Sequence, residues 1–449
     1  MKKSSILFLM MFVFGYSQAQ DQPNIVLLFV DDYGWSDVGY RNSTFHTPHI
    51  DQLKSESLDF SRAYVTTPTC SPSRASLLTG KESIRMGLPR HIIDGDSKNA
   101  TFGSDGSISE YNYWPTDPVQ MPSRNWLPLE EITYAERLKE FGYYNMFIGK
   151  WHLGHEPYHP TLQGFDDYYG YANAGHPKGY YAPFFKHENM LSEFGSEDYL
   201  TDVLTDKAED FIKNHDRKQP FMLSMWYYNV HGPHRGRKDF LEQYKKEGLE
   251  DRYANYAAMV SAMDESVGRV RQALAEEGLD KNTIIIFTSD QGGYFTNAPL
   301  SGGKTGGNTL GEGGARVPFM ILYPGVTTPN TTTGQPIQTL DVYPTLIEIA
   351  SGKKCKDTQI NGVSLLPVLA GKKLKSRDLH FFRSYEDQYA AIMSGDWKLV
   401  KYHSGKYELF NIGEDISEQN NLIGQGLKQE QQLMDRLDRW EQEAVPVYN

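Results

Sequence analysis

Pro72 and Arg74 stand two and four residues after Cys70, in the run Cys70-Ser-Pro72-Ser-Arg74-Ala-Ser-Leu-Leu-Thr-Gly80. Proline suits the first turn of a helix, where its missing N–H costs nothing. Cys70 therefore falls at a helix N-terminus, where free N–H groups and the helix dipole favour an anion. Arg74, about one turn on, can point back at the same place. The plainer reading is a helix cap with a buried thiol. Two other pairs, Asp31-Asp32 and Asp290-Gln291, offer only oxygen atoms, the ligand set of a hard cation such as calcium or magnesium. Adjacent ionised carboxylates beside a buried strand repel each other, and a cation relieves that cost. A lone Asp-Asp pair reads more readily as a turn or cap; the second pair moves the balance towards metal. No cysteine–histidine cluster has zinc spacing. Lys150-Trp-His152, His231-Gly-Pro-His234 and Lys304 add cationic and titratable groups. Each alone would be a surface lysine or a turn histidine.

The elements that must position these residues follow from the apolar pattern. Asn24 to Val30 is a continuous branched apolar run, which suits a strand buried on both faces of a parallel sheet. Ile284 to Thr288 and Phe221 to Tyr228 read alike, and Tyr143 to Ile148 more weakly. Helical periodicity occupies Tyr134 to Phe141 and Tyr253 to Glu277. Strands alternating with helices give an α/β domain with a mostly parallel sheet. Four of these strands end in Asp31-Asp32, Lys150-Trp-His152, His231-Gly-Pro-His234 and Asp290-Gln291. Ligands in open α/β sheets bind beyond the carboxyl ends of the strands, so four such endings imply one shared site.

Two long stretches, Gly95 to Trp126 and Asp166 to Met190, have little periodicity and many aromatic residues. Long loops in compact domains tend to be functional, and aromatic faces stack on sugar rings, although most such residues serve core packing. Near residue 375 the pattern changes. His380 to Arg383, Tyr389 to Ser394, Trp397 to Tyr402 and Tyr407 to Asn411 read as short strands. Leu427, Leu433, Met434, Leu437 and Trp440 mark one face of a closing helix. The expected organisation is an excised segment 1–19, a large α/β domain over 20–375 and a small α+β domain over 376–449.

Composition narrows the partners. With 39% hydrophobic and 23% charged residues the chain is an ordinary globular one. A net charge of −12 argues against nucleic acid, while a local basic pocket can still take an anion. Met1-Lys2-Lys3, the apolar Ile6 to Tyr16 and Ser17-Gln18-Ala19 form a secretory signal with cleavage expected after Ala19. The apolar run is too short for a transmembrane span, so the mature protein is expected in the periplasm or secreted. The two cysteines, Cys70 and Cys355, read plainly as one disulfide in an exported protein, although the context of Cys70 favours another fate. Sequons at Asn42, Asn99 and Asn330 matter only in a glycosylating host.

The chain resembles the formylglycine-dependent sulfatase family of the alkaline-phosphatase-like superfamily. Cys70-x-Pro72-x-Arg74 with the following Leu-Thr-Gly is that family's signature. Asn24 to Asp32, Gly149-Lys-Trp-His-Leu-Gly154, Ser289-Asp-Gln-Gly292, Gly302-Gly-Lys304, Glu312-Gly-Gly-Ala-Arg-Val-Pro318, Gly362-Val-Ser-Leu-Leu-Pro367 and Glu408-Leu-Phe-Asn411 carry it through nearly the whole mature chain. The resemblance implies a large, mostly parallel or mixed sheet flanked by helices, plus a small C-terminal domain with an antiparallel sheet. It implies oxidation of Cys70 to formylglycine by a maturation enzyme, and one calcium ion held by Asp31, Asp32, residue 70, Asp290 and Gln291. Many relatives have Asn or His where this chain has Gln291. The implied roles make Asp290 the base for the attacking diol hydroxyl, and Arg74, Lys150 and Lys304 the groups that screen the sulfate. His231, with Lys304, protonates the leaving oxygen. His152 deprotonates the second hydroxyl, so that the covalent sulfo-enzyme expels sulfate. His234 is assigned a substrate contact and Arg316 a structural part. Between Lys304 and Glu312 the chain is longer than such relatives. The expected substrate is a sulfated carbohydrate: an algal polysaccharide of ulvan, carrageenan or fucoidan type, or alternatively a glycosaminoglycan. A phosphodiesterase or phosphonate hydrolase of the same superfamily and a non-catalytic sulfoglycan-binding relative are the rival readings.

Overall fold

The computed structural model describes residues 22–93, 107–118, 120–170, 173, 175–185 and 191–445. The expected signal segment, the Asn99 sequon and parts of both long aromatic stretches lie outside the described residues. Eight strands form one sheet: β1 (Asn24–Val30), β2 (Leu58–Phe60), β3 (Tyr144–Gly149), β4 (Asp167–Tyr169), β5 (Phe221–Trp226), β6 (Thr283–Ser289), β7 (Phe319–Leu322) and β8 (Thr331–Thr333). Their spatial order is β8-β2-β7-β6-β1-β5-β3-β4. The central run β6-β1-β5-β3-β4 is wholly parallel, and β7 turns antiparallel against β6 and β2. The sheet is thus mixed, with a parallel centre.

Helices cover both faces: α1 (Pro48–Glu56), α2 (Cys70–Thr79), α3 (Tyr134–Glu140), α4 (Leu200–Asn214), α5 (Lys238–Lys246), α6 (Asp251–Glu276) and α7 (Val342–Ser351). β1 is the hub because its alternate residues supply both cores. Val26, Leu28 and Val30 face the core shared with α1, α4 and α6. Ile25, Leu27 and Phe29 face the one shared with α2, α3 and α7. A strand that is apolar at every position from Ile25 to Val30 suits such a doubly covered centre.

The antiparallel meander β9 (Asp378–Phe382), β10 (Gln388–Ser394), β11 (Trp397–Tyr402) and β12 (Tyr407–Asn411) follows. Its period-2 pattern separates two faces. Phe382, Ala390, Ile392, Leu399 and Leu409 receive the helix α8 (Lys428–Ala444) through Leu433, Leu437 and Trp440. Burial of each of those leucines contributes roughly 2 kcal/mol. Phe381, Ala391, Met393, Val400 and Phe410 pack instead on Tyr64, Leu310 and Ala315 of the larger body. Among the described residues, no helix is long and apolar enough to cross a membrane.

The disulfide expected as the plain fate of the two cysteines is not formed; both are free. Cys70 opens α2, whereas Cys355 lines a groove with Thr79, the last residue of that helix. Ten helical residues rise about 15 Å, and a disulfide needs Cα atoms within about 7 Å.

One buried carboxyl in the fold should register in stability. Asp264 of α6 accepts hydrogen bonds from the backbone N–H of Ile50 (2.7 Å) and His49 (3.2 Å) in the first turn of α1. Burial nevertheless pushes its carboxyl up to about 7. A carboxyl with a raised folded-state pKa holds its proton more tightly in the fold. Its contribution is therefore fullest below about pH 4, the unfolded value, and is lost as pH rises through 7. Thermal unfolding of D264N should show a loss of melting temperature between pH 4 and 8 smaller than wild type's by several degrees. Parallel curves would refute this assignment.

Candidate active site

The four parallel strands β6, β1, β5 and β3 are neighbours and point the same way. Their carboxyl ends therefore deliver Asp290-Gln291, Asp31-Asp32, His231 and Lys150-Trp-His152 to one edge of the sheet. Two close approaches make the edge compact. At Gly149 a Cβ would come 2.0 Å from the Trp226 carbonyl oxygen, and φ is +104°, so only glycine lets β3 end against β5. At Gly292 a Cβ would meet the Gly313 oxygen at 1.8 Å. Asp32 and His152 hold φ of +60° and +55°, sparsely populated for non-glycine residues and typical of functional sites.

Helix α2 brings Cys70 to the same edge. All ten of its residues are buried, and several of their polar groups find partners nearby. Thr66 donates to Ser76 Oγ at 3.0 Å, and the Ile92 N–H donates to Ser71 Oγ at 3.0 Å. Arg74 lies 5.3 and 5.4 Å over the rings of Phe29 and Trp226. It donates to Asp290 Oδ2 at 2.9 Å and to the Lys150 carbonyl at 2.9 Å.

The charges interlock. Lys150 Nζ is 2.5 Å from Asp31 Oδ2, with both side chains fully buried. Lys304 Nζ contacts Asp32 Oδ2, His231 Nε2 lies 3.7 Å from the same oxygen, and Asp290 Oδ1 accepts from the Asp32 N–H at 3.0 Å. Three carboxylates thus face three permanent cations. Burial raises Asp31, but Lys150 and Arg74 outweigh it and hold its carboxyl far below the usual range. Asp32 is raised by burial, with Lys304 opposing and Asp31 adding. Burial and the charge on Asp31 push Asp290 up to about 8. Desolvation pushes the Cys70 thiol up to about 11.

The residues fit a hard cation. Oxygens of Asp31 and Asp32 and the Cys70 sulfur all lie within 4.8 Å of one another. Asp31 Oδ1 is buried without a hydrogen-bond donor; Arg74 Nη2 lies 3.3 Å away but outside hydrogen-bond alignment. Gln291 donates its amide to Asp32 Oδ1 (2.7 Å) and Cys70 Sγ (3.2 Å). A half-turn of that amide presents its oxygen to the same spot. A cation there would lower the Asp290 carboxyl again.

Above this floor opens a cavity of about 320 Å³, lined by Cys70, His152, His231, Gln291 and Lys304 together with Thr69, His91, Trp114, His176 and Tyr385. Burial, reinforced by nearby lysines, depresses His152 and His231 well below the usual histidine range. His152 Nε2 donates to the Ile92 carbonyl at 2.9 Å, which leaves the lone pair on Nδ1, an atom with no partner. His231 Nδ1 donates to the Gly232 carbonyl at 2.7 Å. Its ring stacks on His176 at 5.5 Å.

His234 and Arg316 do not line the cavity. His234 packs edge-on to Tyr294 at 4.8 Å and Tyr256 at 5.3 Å. Arg316 donates to the Ser61 carbonyl at 2.6 Å and lies 3.3 Å from Glu312. His91, Trp114, His176 and Tyr385 were not singled out by sequence. Trp114 and His176 fall in the two long aromatic stretches, which was a signal; His91 and Tyr385 carried none.

The loop bearing Lys304 is anchored from the C-terminal sheet. Lys398 of β11, fully buried, pairs with Glu312 at 3.0 Å and Glu418 at 2.9 Å. Glu418 also accepts from Ser301 Oγ and from the Glu312 N–H. Gln388 of β10 accepts from the Leu310 N–H and donates to Asn308 Oδ1, both at 2.7 Å. The segment between Lys304 and Glu312 is therefore tied down at several points.

Known proteins resemble this chain in sequence and in fold. Residues 23–352 match the model of the Sulfatase family. Residues 309–443 match that of the C-terminal region of N-sulphoglucosamine sulphohydrolase. The chain is 32% identical to human N-acetylgalactosamine-6-sulfatase, covering 91% of this chain and 77% of that protein. It is 30% identical to a sulfatase of Formosa agariphila, covering 92% and 86%. A solved structure described as Ps i-CgsB in complex with k-i-k-neocarrahexaose superposes with a TM-score of 0.81 at 28% identity, covering 95% of this chain and 94% of that one. The chain belongs to the sulfatase family and is a sulfuric ester hydrolase.

Proposed function

We propose that the protein removes sulfate from a sulfated carbohydrate, with residue 70 as the nucleophile after its oxidation to formylglycine by a maturation enzyme. The observation that carries this reading is the packing of Asp31, Asp32, Asp290 and Gln291 against Cys70, ringed by Arg74, Lys150 and Lys304. Asp31, Asp32, Asp290, Gln291 and residue 70 hold one calcium ion in this reading. When bound, it lowers the pKa of a hydroxyl on residue 70 and neutralises charge on the sulfate.

The chain's own groups do the rest. Asp290 takes the proton from the attacking hydroxyl. Arg74, Lys150 and Lys304 screen the sulfate oxygens, which otherwise repel a nucleophile, and stabilise charge as the ester bond breaks. Lys304, kept protonated by Asp32, and His231 supply the proton to the leaving oxygen. His231 is neutral in the resting site; the arriving anionic ester raises its affinity for a proton. Sulfate then leaves residue 70 when His152, whose Nδ1 lone pair is free, takes the proton of the second hydroxyl.

Trp114, Tyr385 and the neutral His91, His152 and His231 around the cavity suit a sugar better than a fully charged leaving group. An algal polysaccharide of carrageenan type is the substrate favoured by the likeness to the neocarrahexaose complex. The likeness to N-acetylgalactosamine-6-sulfatase supports a second reading, a glycosaminoglycan. The leader 1–19 directs the chain to export, where such polymers lie. Matured protein should release sulfate from nitrophenyl sulfate far faster than phosphate from nitrophenyl phosphate. It should also desulfate carrageenan oligosaccharides in preference to sulfated N-acetylgalactosamine. Preference for the phosphate ester would overturn the reading; the reverse saccharide preference would move it to the glycosaminoglycan.

A further inference from the structure

The wall of the cavity beyond the charged floor is built as rigidly as the floor itself. The guanidinium of Arg90 lies 3.7 Å over the ring of Trp114 and 4.3 Å over that of Tyr385, and it is fixed by Asp117. Arg383 covers Tyr385 at 4.1 Å. The Tyr385 hydroxyl reaches Thr69 Oγ1 at 2.9 Å, one residue before the nucleophile. His91 lies between the two rings, 4.9 Å from Trp114 and 6.3 Å from Tyr385. The segment that carries Arg90 and His91 is registered to the reacting atoms at two points. The Ile92 N–H donates to Ser71 Oγ, and the Ile92 carbonyl accepts from His152.

Within this wall the indole of Trp114, which borders the cavity, has an unspent donor. Trp114 is 8% exposed, lines the cavity, and its indole Nε1–H has no acceptor. A buried N–H left without a partner costs about 1–3 kcal/mol, a cost removed by a ligand that brings an acceptor. His91 adds a ring that can both donate and accept, because burial and Arg90 keep it neutral. Apolar walls carrying a few fixed polar groups are how small-molecule sites fix orientation.

We infer that Trp114, with His91 and Tyr385, forms the subsite for the sugar ring bearing the scissile sulfate, and that the Trp114 indole N–H donates to an oxygen of that sugar. This rests on the carbohydrate reading above and assigns its specificity. Sulfate itself is held by the cationic floor; the hydroxyl pattern of the sugar is read by this wall. A substrate lacking an acceptor there leaves the N–H unpaired and is discriminated against.

The test separates the two ends of the substrate with two inhibitors of nitrophenyl sulfate turnover: desulfated neocarrabiose and inorganic sulfate. In W114F, which keeps an aromatic ring and loses the N–H, half-inhibition by the saccharide should need about tenfold more, the equivalent of about 1.4 kcal/mol. Inhibition by sulfate should stay as in wild type. Should W114F not fold, His91→Ala gives the same comparison at a neighbouring ring of the same wall. Equal weakening of both inhibitors, or no weakening of the saccharide, overturns the inference. Wild-type turnover of nitrophenyl sulfate with no inhibition by neocarrabiose or by N-acetylgalactosamine overturns it too, while leaving the sulfatase chemistry intact. An absence of turnover by matured wild type would instead bring down the proposed mechanism and this subsite with it.

Discussion

Replacing Cys70 with alanine lowers sulfate release from any ester by at least about 10⁴-fold, the scale seen when a nucleophile is removed from an otherwise intact site. The expectation comes from position and from electrostatics together. Every cation and carboxyl in the cluster converges on this one side chain, yet desolvation pushes its thiol up to about 11. An unmodified cysteine here is a protonated, poor nucleophile near neutral pH. In the proposed reading, oxidation to an aldehyde and addition of water to it exchange that inert thiol for two hydroxyls that neighbouring groups can deprotonate. C70S should fail nearly as badly when the maturation enzyme accepts only cysteine. Mass spectrometry of the peptide containing residue 70 should show the aldehyde in active wild-type protein and the thiol in inactive protein. An active C70A variant would move the chemistry elsewhere.

Asp31→Asn has the second largest expected effect, and it reaches both activity and stability. Asn keeps the shape and removes the charge. Lys150 and Arg74 then remain fully buried beside a neutral amide, and breaking one partner of a buried ion pair costs about 3–5 kcal/mol. The urea midpoint should fall accordingly, and activity should fall by at least about a hundredfold, because a ligand to the proposed cation is lost. Chelation separates the two parts. A calcium chelator should lower wild-type activity and melting temperature together, with calcium restoring both; a ligand at a hundred times its Kd contributes about 2.7 kcal/mol. D31N should respond weakly to either treatment. A D31N protein as stable and as active as wild type would refute the assignment.

Much of the scaffold was legible. Strand β1 was read to the residue, and β6 was placed with one residue fewer at each end than the observed Thr283–Ser289. The four polar strand endings marked one sheet edge because strand and direction both follow from an apolar run. Strand β5 ends at Trp226, two residues before the expected Tyr228, although backbone hydrogen bonds of Tyr227 to Phe29 and of Asn229 and Val230 to Asp31 carry the contact with β1 beyond it. The mixed part of the sheet was not legible in the residues themselves, since the short β2, β7 and β8 have no distinctive pattern and acquire their pairing only from the folded core. Nor could periodicity have buried α2. Its Ser71, Arg74 and Ser76 look solvent-facing, and only partners from Thr66, Ile92 and Asp290 make the interior tolerable for them. His91 and Tyr385 meet across nearly three hundred residues of chain. No local pattern encodes such a meeting.

The pairing of Lys398 with Glu312 and Glu418 has a practical corollary for anyone trimming the protein. Lys304, proposed to reach the sulfate, and the sheet that immobilises its loop are far apart in the chain, so a minimal enzyme ending near residue 375 would keep the proposed nucleophile and acidic cluster and lose the brace on Lys304. Excision would also leave the interior carboxylate of Glu312 with Arg316 and the Tyr64 hydroxyl but without its buried lysine. The tail is an organ of the reaction, and evolution or engineering can retune the pocket from there without touching a single reacting atom.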